Sequence, residues 1–81
     1  MDKLILKDEY IKLGQALKAA GLVSSGIDAK MVIQEGMVKV DGEVELRRGR
    51  KLYDGAVVEF DNQTVKIIGG KTDDSGVSQN Q

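Results

Sequence analysis

The stretch that decides the fold is Gly36-Met37-Val38-Lys39-Val40-Asp41-Gly42-Glu43-Val44-Glu45. Before it, apolar residues recur every three or four positions; within it, they alternate with charged ones. Met37–Val40 and Glu43–Glu45 therefore read as strands with one buried face. Asp41-Gly42 between them is a hairpin signal, because a type I′ turn needs positive φ at both central residues. Two further strands are expected downstream, Ala56–Phe60 and Thr64–Ile68, joined at Asp61-Asn62-Gln63, with Leu52-Tyr53-Asp54-Gly55 as another turn. No proline interrupts these runs.

Working back from Gly36, the spacing predicts two helices. In Leu13–Ala20, Leu13, Ala16, Leu17 and Ala20 fall at i, i+3, i+4 and i+7, a single apolar stripe. Gly21 suits the left-handed residue that ends such a helix, with Leu22 folding back onto Leu17. For Ile27–Glu35, Ser25 is placed to cap the N–H of Asp28, and Asp28 to reach back in a capping box. Ala29, Val32 and Ile33 supply the inner stripe, and Gly36 repeats the ending, with Met37 against Val32. Leu4-Ile5-Leu6 is an edge strand, expected beside the last one. The resulting order, β-α-α-β-β-β-β, is an α+β fold in which two helices pack on a small, mostly antiparallel sheet. Residues 1–70 are expected to form one domain. Residues 71–81, apolar only at Val77, are expected to be a disordered tail.

Composition narrows the function. The 81 residues are 41% hydrophobic and 31% charged with a net charge of −1, values of a small globular chain. Cysteine and histidine are both absent. That excludes disulfides, zinc sites built from those residues, a thiol nucleophile and an imidazole base. A chain this short seldom encloses a substrate pocket. The expectation is a non-catalytic protein without cofactor, metal or small-molecule substrate. No apolar run approaches the ~20 residues of a membrane helix, and Met1–Leu6 lacks the apolar region of a secretory signal. A cytoplasmic monomer follows as the expectation.

Charge position says more than net charge. From Lys12 to Lys51 there are eight basic residues against five acidic, a local charge of +3. Arg47, Arg48, Arg50 and Lys51 are four of the six residues from Leu46 to Lys51, and the planar guanidinium suits bidentate phosphate contact. Lys12, Gln15 and Lys18 lie on the polar side of the first helix, Lys30 and Gln34 on that of the second. A helix pair flanked by a basic hairpin is the footprint of a phosphate-backbone binder. Tyr10, Tyr53 and Phe60 are the only aromatics, which argues against single-strand binding on stacking platforms. Folded RNA, recognised by shape and phosphate, remains. Tyr53, beside an Asp-Gly turn, is read as packing against the sheet with its hydroxyl exposed, outside the site.

Ala20-Gly21-Leu22-Val23-Ser24-Ser25, Ala29-Lys30, Val32-Ile33 and Gly36-Met37-Val38-Lys39-Val40-Asp41-Gly42 together resemble the S4-type RNA-binding domain. This is the helix-pair-and-hairpin module of ribosomal protein S4, several pseudouridine synthases and tyrosyl-tRNA synthetases. Leu13-Gly14-Gln15-Ala16-Leu17-Lys18 and Arg47-Arg48-Gly49-Arg50-Lys51-Leu52 narrow the resemblance to small stand-alone S4-like proteins of the YaaA and YbcJ type, over about residues 11 to 60. The resemblance implies an RNA-binding protein whose partner is structured RNA, with ribosomal RNA or a ribosomal subunit first. By position it implies contacts from Lys12, Ser25, Lys30 and Lys39, to which the charge pattern adds Lys18, Arg47, Arg48, Arg50 and Lys51. The chain departs from the commoner pattern at Gly26 and Ile27, where longer S4 domains often carry arginines, and at Asp41, where asparagine is frequent. The first departure moves the expected centre of the site toward Arg47–Lys51. Gly14, Gly21, Gly36 and Gly42 also match, and are read as caps and turns that need glycine's backbone freedom. Two other readings use the same surface: a module docking an acidic protein partner, or a detached specificity domain serving a separate RNA-modifying enzyme.

Overall fold

The computed structural model describes residues 2–69. The chain runs β1 (Asp2–Ile5), β2 (Tyr10–Lys12), α1 (Leu13–Ala19), α2 (Gly26–Gln34), β3 (Val38–Val40), β4 (Glu43–Val44), β5 (Lys51–Tyr53), β6 (Val57–Phe60) and β7 (Gln63–Ile68). Five strands form one sheet in the order β1-β7-β6-β3-β4. All its pairs are antiparallel except β1 with β7, which run parallel from Asp2↔Val65 to Ile5↔Ile68. The expected α+β fold is present, with Leu4 on a strand beside the last one.

Local sequence accounts for where the elements end. At the close of α1, Gly21 has φ 75°. Its N–H donates to the Lys18 carbonyl at 3.0 Å, and that of Leu22 to Leu17 at 2.9 Å. These are the two bonds of a Schellman ending. Gly36 and Met37 repeat the pair on Ile33 and Val32 at 3.1 and 3.0 Å, although the Met37 side chain stays half exposed. Ser25 caps α2, its hydroxyl accepting from Asp28 N–H at 3.1 Å. Among the described residues no return bond from Asp28 completes a capping box. Asp41 and Gly42 have φ of 53° and 87°, the type I′ hairpin the sequence predicts. Asp61 and Asn62, at 53° and 63°, make a second such turn, so that β7 starts at Gln63 rather than Thr64.

Both helices cover one face of the sheet. Leu13, Ala16 and Leu17 from α1, Ala29 and Ile33 from α2, and Val38, Val40, Val58 and Ile67 from the strands form one buried cluster. Full burial of each large member contributes roughly 1.5–3 kcal/mol, which is what holds two short helices in place.

The element order differs from the expected one by two strands. β2 and β5 pair antiparallel as a separate ribbon, Tyr10↔Tyr53, Ile11↔Leu52 and Lys12↔Lys51. Three residues are too few to display a period, and the partners are some forty positions apart, so no local signal marks either strand. Ile11 and Leu52 face the core, while Tyr10, Lys12, Lys51 and Tyr53 take the outer face. Tyr53 stands 48% exposed, its ring beside that of Tyr10. The expected tail, 71–81, lies outside the described residues.

Candidate nucleic-acid interface

Helix α1 begins without a side-chain cap, since Lys12 at the cap position makes no such bond. The first N–H groups of a helix need acceptors, and here the basic loop between β4 and β5 provides them. Leu13 N–H donates to the Arg50 carbonyl at 2.8 Å and Gly14 N–H to that of Arg48 at 3.0 Å. The Arg48 side chain then lies across Gly14, where a Cβ would sit 2.6 Å from Arg48 Cγ. Gly14 is therefore required for close approach. Its backbone is ordinary helix, which corrects its reading as a residue needing conformational freedom.

The loop is held by an acid the charge count treated as one of many. Glu45 is 7% exposed. Its carboxylate accepts from Arg47 Nε at 2.9 Å, Arg47 Nη2 at 3.1 Å, Arg47 N–H at 3.0 Å and Arg50 Nη1 at 2.8 Å. The side-chain hydrogen bonds from Arg47 and then Arg50 outweigh desolvation and lower its pKa from 4.5 to about 2. Glu45 is thus ionised at neutral pH and offsets one charge of the basic run. The only signal in the sequence was an acid two positions ahead of an arginine, too common to single out.

The nine residues proposed from sequence divide among several surfaces. Lys12, Lys18 and Arg48 line one cleft of about 340 Å³, together with Gln15, Gly26 and Gly49. Among the described residues no acidic side chain lines it. Ser25 caps the helix whose first residue, Gly26, borders this cleft. Lys30 is exposed on α2 outside the cleft lining. Arg47 and Arg50 donate to Glu45, with side chains 73% and 37% exposed. Lys51 sits on the ribbon with its Nζ 4.9 Å from the Tyr10 ring centroid. Lys39 lies elsewhere, opposite Glu59 in the β3–β6 register, in a depression it shares with Asp61. Asp41 is structural, accepting from Val57 N–H at 3.0 Å. No group of His, Cys, Asp and Glu suited to a metal occurs among the described residues, and none of their helices is long and apolar enough to cross a membrane.

Comparison with known proteins agrees with this architecture. Residues 4–68 match the S4 domain family. The chain is 40% identical over 62 residues, 76% of its length and 89% of the relative's, to YbcJ of Escherichia coli, provisionally named an RNA-binding protein. It is 51% identical over 53 residues, 65% of its length and 75% of the relative's, to RlbA of Bacillus subtilis, named a probable ribosome maturation protein. The solution structure of E. coli YbcJ, described as revealing an ALFAL motif involved in RNA-binding, superposes with a TM-score of 0.67 at 38% identity. That alignment covers 85% of this chain and 89% of YbcJ.

Proposed function

The chain belongs to the S4 domain family, and from that premise we propose that it is a non-catalytic RNA-binding protein that grips structured RNA, ribosomal RNA or a ribosomal particle, by phosphate and shape. The observation that carries this reading is the convergence of Lys12, Lys18 and Arg48 on one cleft that no acid lines among the described residues. A duplex backbone crossing such a cleft exchanges its counterions for fixed cations, the main source of affinity for nucleic acid. Arg48 is the guanidinium we assign the leading contact, because Arg47 and Arg50 already donate to Glu45. Ser25 and Lys30 adjoin the cleft-lining Gly26 and Ala29 in sequence, Lys51 pairs with the cleft-lining Lys12, and Lys39 serves a separate stretch of backbone. The names of YbcJ and RlbA support RNA as the ligand and the ribosome as its setting. We place the activity in residues 1–70, acting as a monomer in the cytoplasm.

Co-sedimentation with ribosomal subunits at low and high salt, joined to titration of structured ribosomal RNA fragments, tests the proposal. Salt-sensitive association that weakens on Lys12→Ala/Arg48→Ala is expected. Affinity no greater than that of an unrelated protein of similar charge would overturn it and favour an acidic protein partner.

A further inference from the structure

The phosphate cleft does not end at α1. Gln15 and Lys18 line it on one side and, on the other, a second groove of about 570 Å³. The two depressions differ in chemistry. The cleft presents cations beside glycine backbone; the groove is walled by Leu4, Ile5, Leu6, Tyr10 and Ile11. Lys7 and Asp8 also line the groove, and their opposite charges offset, so apart from Lys18 at the junction it has no net charge to hold a phosphate. Ile5 is 74% exposed and Tyr10 36%, so this wall lies open.

Tyr10 is held in place from outside the groove lining. Lys51 Nζ lies 4.9 Å from its ring centroid, and the Tyr53 ring packs against it at 5.7 Å, tilted by 47°. Neither Lys51 nor Tyr53 lines the groove. A tyrosine fixed by an ammonium and a second ring, bordering an apolar groove, is a stacking surface for one planar group. Gln15, at the junction, brings an amide that can both donate to and accept from a base edge.

We infer that this groove receives a single unpaired base of the RNA whose backbone lies in the adjoining cleft, the base stacking on Tyr10 while Lys18 holds the phosphate beside it. The inference rests on the RNA-binding reading above and adds the class of RNA: a helix interrupted by a bulge or ending in an overhang, not a continuous duplex. It also reconciles scarce aromatics with stacking. A lone base needs one ring, and the long-range pairing of β2 with β5 puts two of the chain's three aromatics side by side.

The test uses an RNA stem-loop carrying one bulged 2-aminopurine, and the same stem-loop fully paired. The full chain should bind the bulged RNA roughly tenfold more tightly, the scale of one base–aromatic stack, and quench the 2-aminopurine. Tyr10→Leu should abolish the preference and the quenching while leaving affinity for the paired stem unchanged; Tyr10→Phe should retain both. Thermal melts check that each variant is folded, and quenching by the unaltered chain depends on no variant. Equal binding of both RNAs with unquenched probe would overturn the base site and leave the phosphate reading standing. No binding of either RNA would overturn both. A dimer that dissociates on Ile5→Asp would give the groove to a second copy of the chain, and overturn the base site as well.

Discussion

Glu45 grips Arg47 at three points: the arginine's Nε at 2.9 Å, its Nη2 at 3.1 Å and its backbone N–H at 3.0 Å. With Arg50 added at 2.8 Å, the carboxylate ties the loop whose carbonyls cap α1. Half of the arginine-rich run thus shapes the surface rather than advertising charge. The guanidinium left over, Arg48, is the one beside Lys12 and Lys18.

Glu45 should govern the acid limb of stability. Its folded pKa of about 2 lies below the ordinary 4.5. The stability it contributes is present above pH 4.5 and is lost as pH falls toward 2. Glu45→Gln should lower the melting temperature by a few degrees at neutral pH, Arg47 being well solvated. It should also flatten the dependence over the acid range. Thermal melts from pH 7 down to pH 2.5 measure both effects; parallel curves for the two proteins would exclude this role.

Leu17 is fully buried at the centre of the cluster. Leu17→Ala should cost about 2–5 kcal/mol, a large share of the stability of a domain this small. Urea unfolding followed by circular dichroism gives the value directly, and a loss below half a kilocalorie would contradict the packing.

Gly14 and Gly26 should respond oppositely to the same change. A Cβ at Gly14 meets Arg48 Cγ at 2.6 Å, whereas one at Gly26 meets nothing within 4 Å. Gly14→Ala should displace Arg48 and the capping loop, lowering both stability and RNA affinity. Gly26→Ala should be neutral or stabilising by about 0.5–1 kcal/mol, through improved helix propensity and a less flexible unfolded chain. Melting temperatures and one RNA titration for each variant decide the matter.

Arg48 and Arg47, adjacent in sequence, should separate in binding. Arg48→Ala should reduce the slope of log K against log salt by somewhat under ~1, similarly for different RNA sequences. Arg47→Ala should change that slope less and stability more. Lys66→Ala, exposed on β7 away from the cleft, is the control. Fluorescence anisotropy at four salt concentrations reads the slopes, and identical slopes for the two arginine variants would refute the division.

The sequence by itself determined whatever a few neighbouring residues can enforce. Gly21 and Gly36 stop their helices because the closing bonds join residues within five positions. Ser25 starts α2 by reaching three residues along, and Asp41-Gly42 turns its hairpin through positive φ at both residues. The alternation Val38-Lys39-Val40 chose the buried face of β3, since side chains two apart share a side. Tertiary structure decided the rest. The ribbon of β2 with β5, the capping of α1 by a loop more than thirty residues away, and the burial of Glu45 all depend on segments distant in sequence. So does the sorting of the candidate residues, seven of which fall into a cleft, an ion cluster, a ribbon and an unrelated depression, while Ser25 caps α2 and Lys30 stands exposed on it. Charge composition is additive along a chain. Which charges meet a ligand depends on which have already met each other, and only the folded chain settles that.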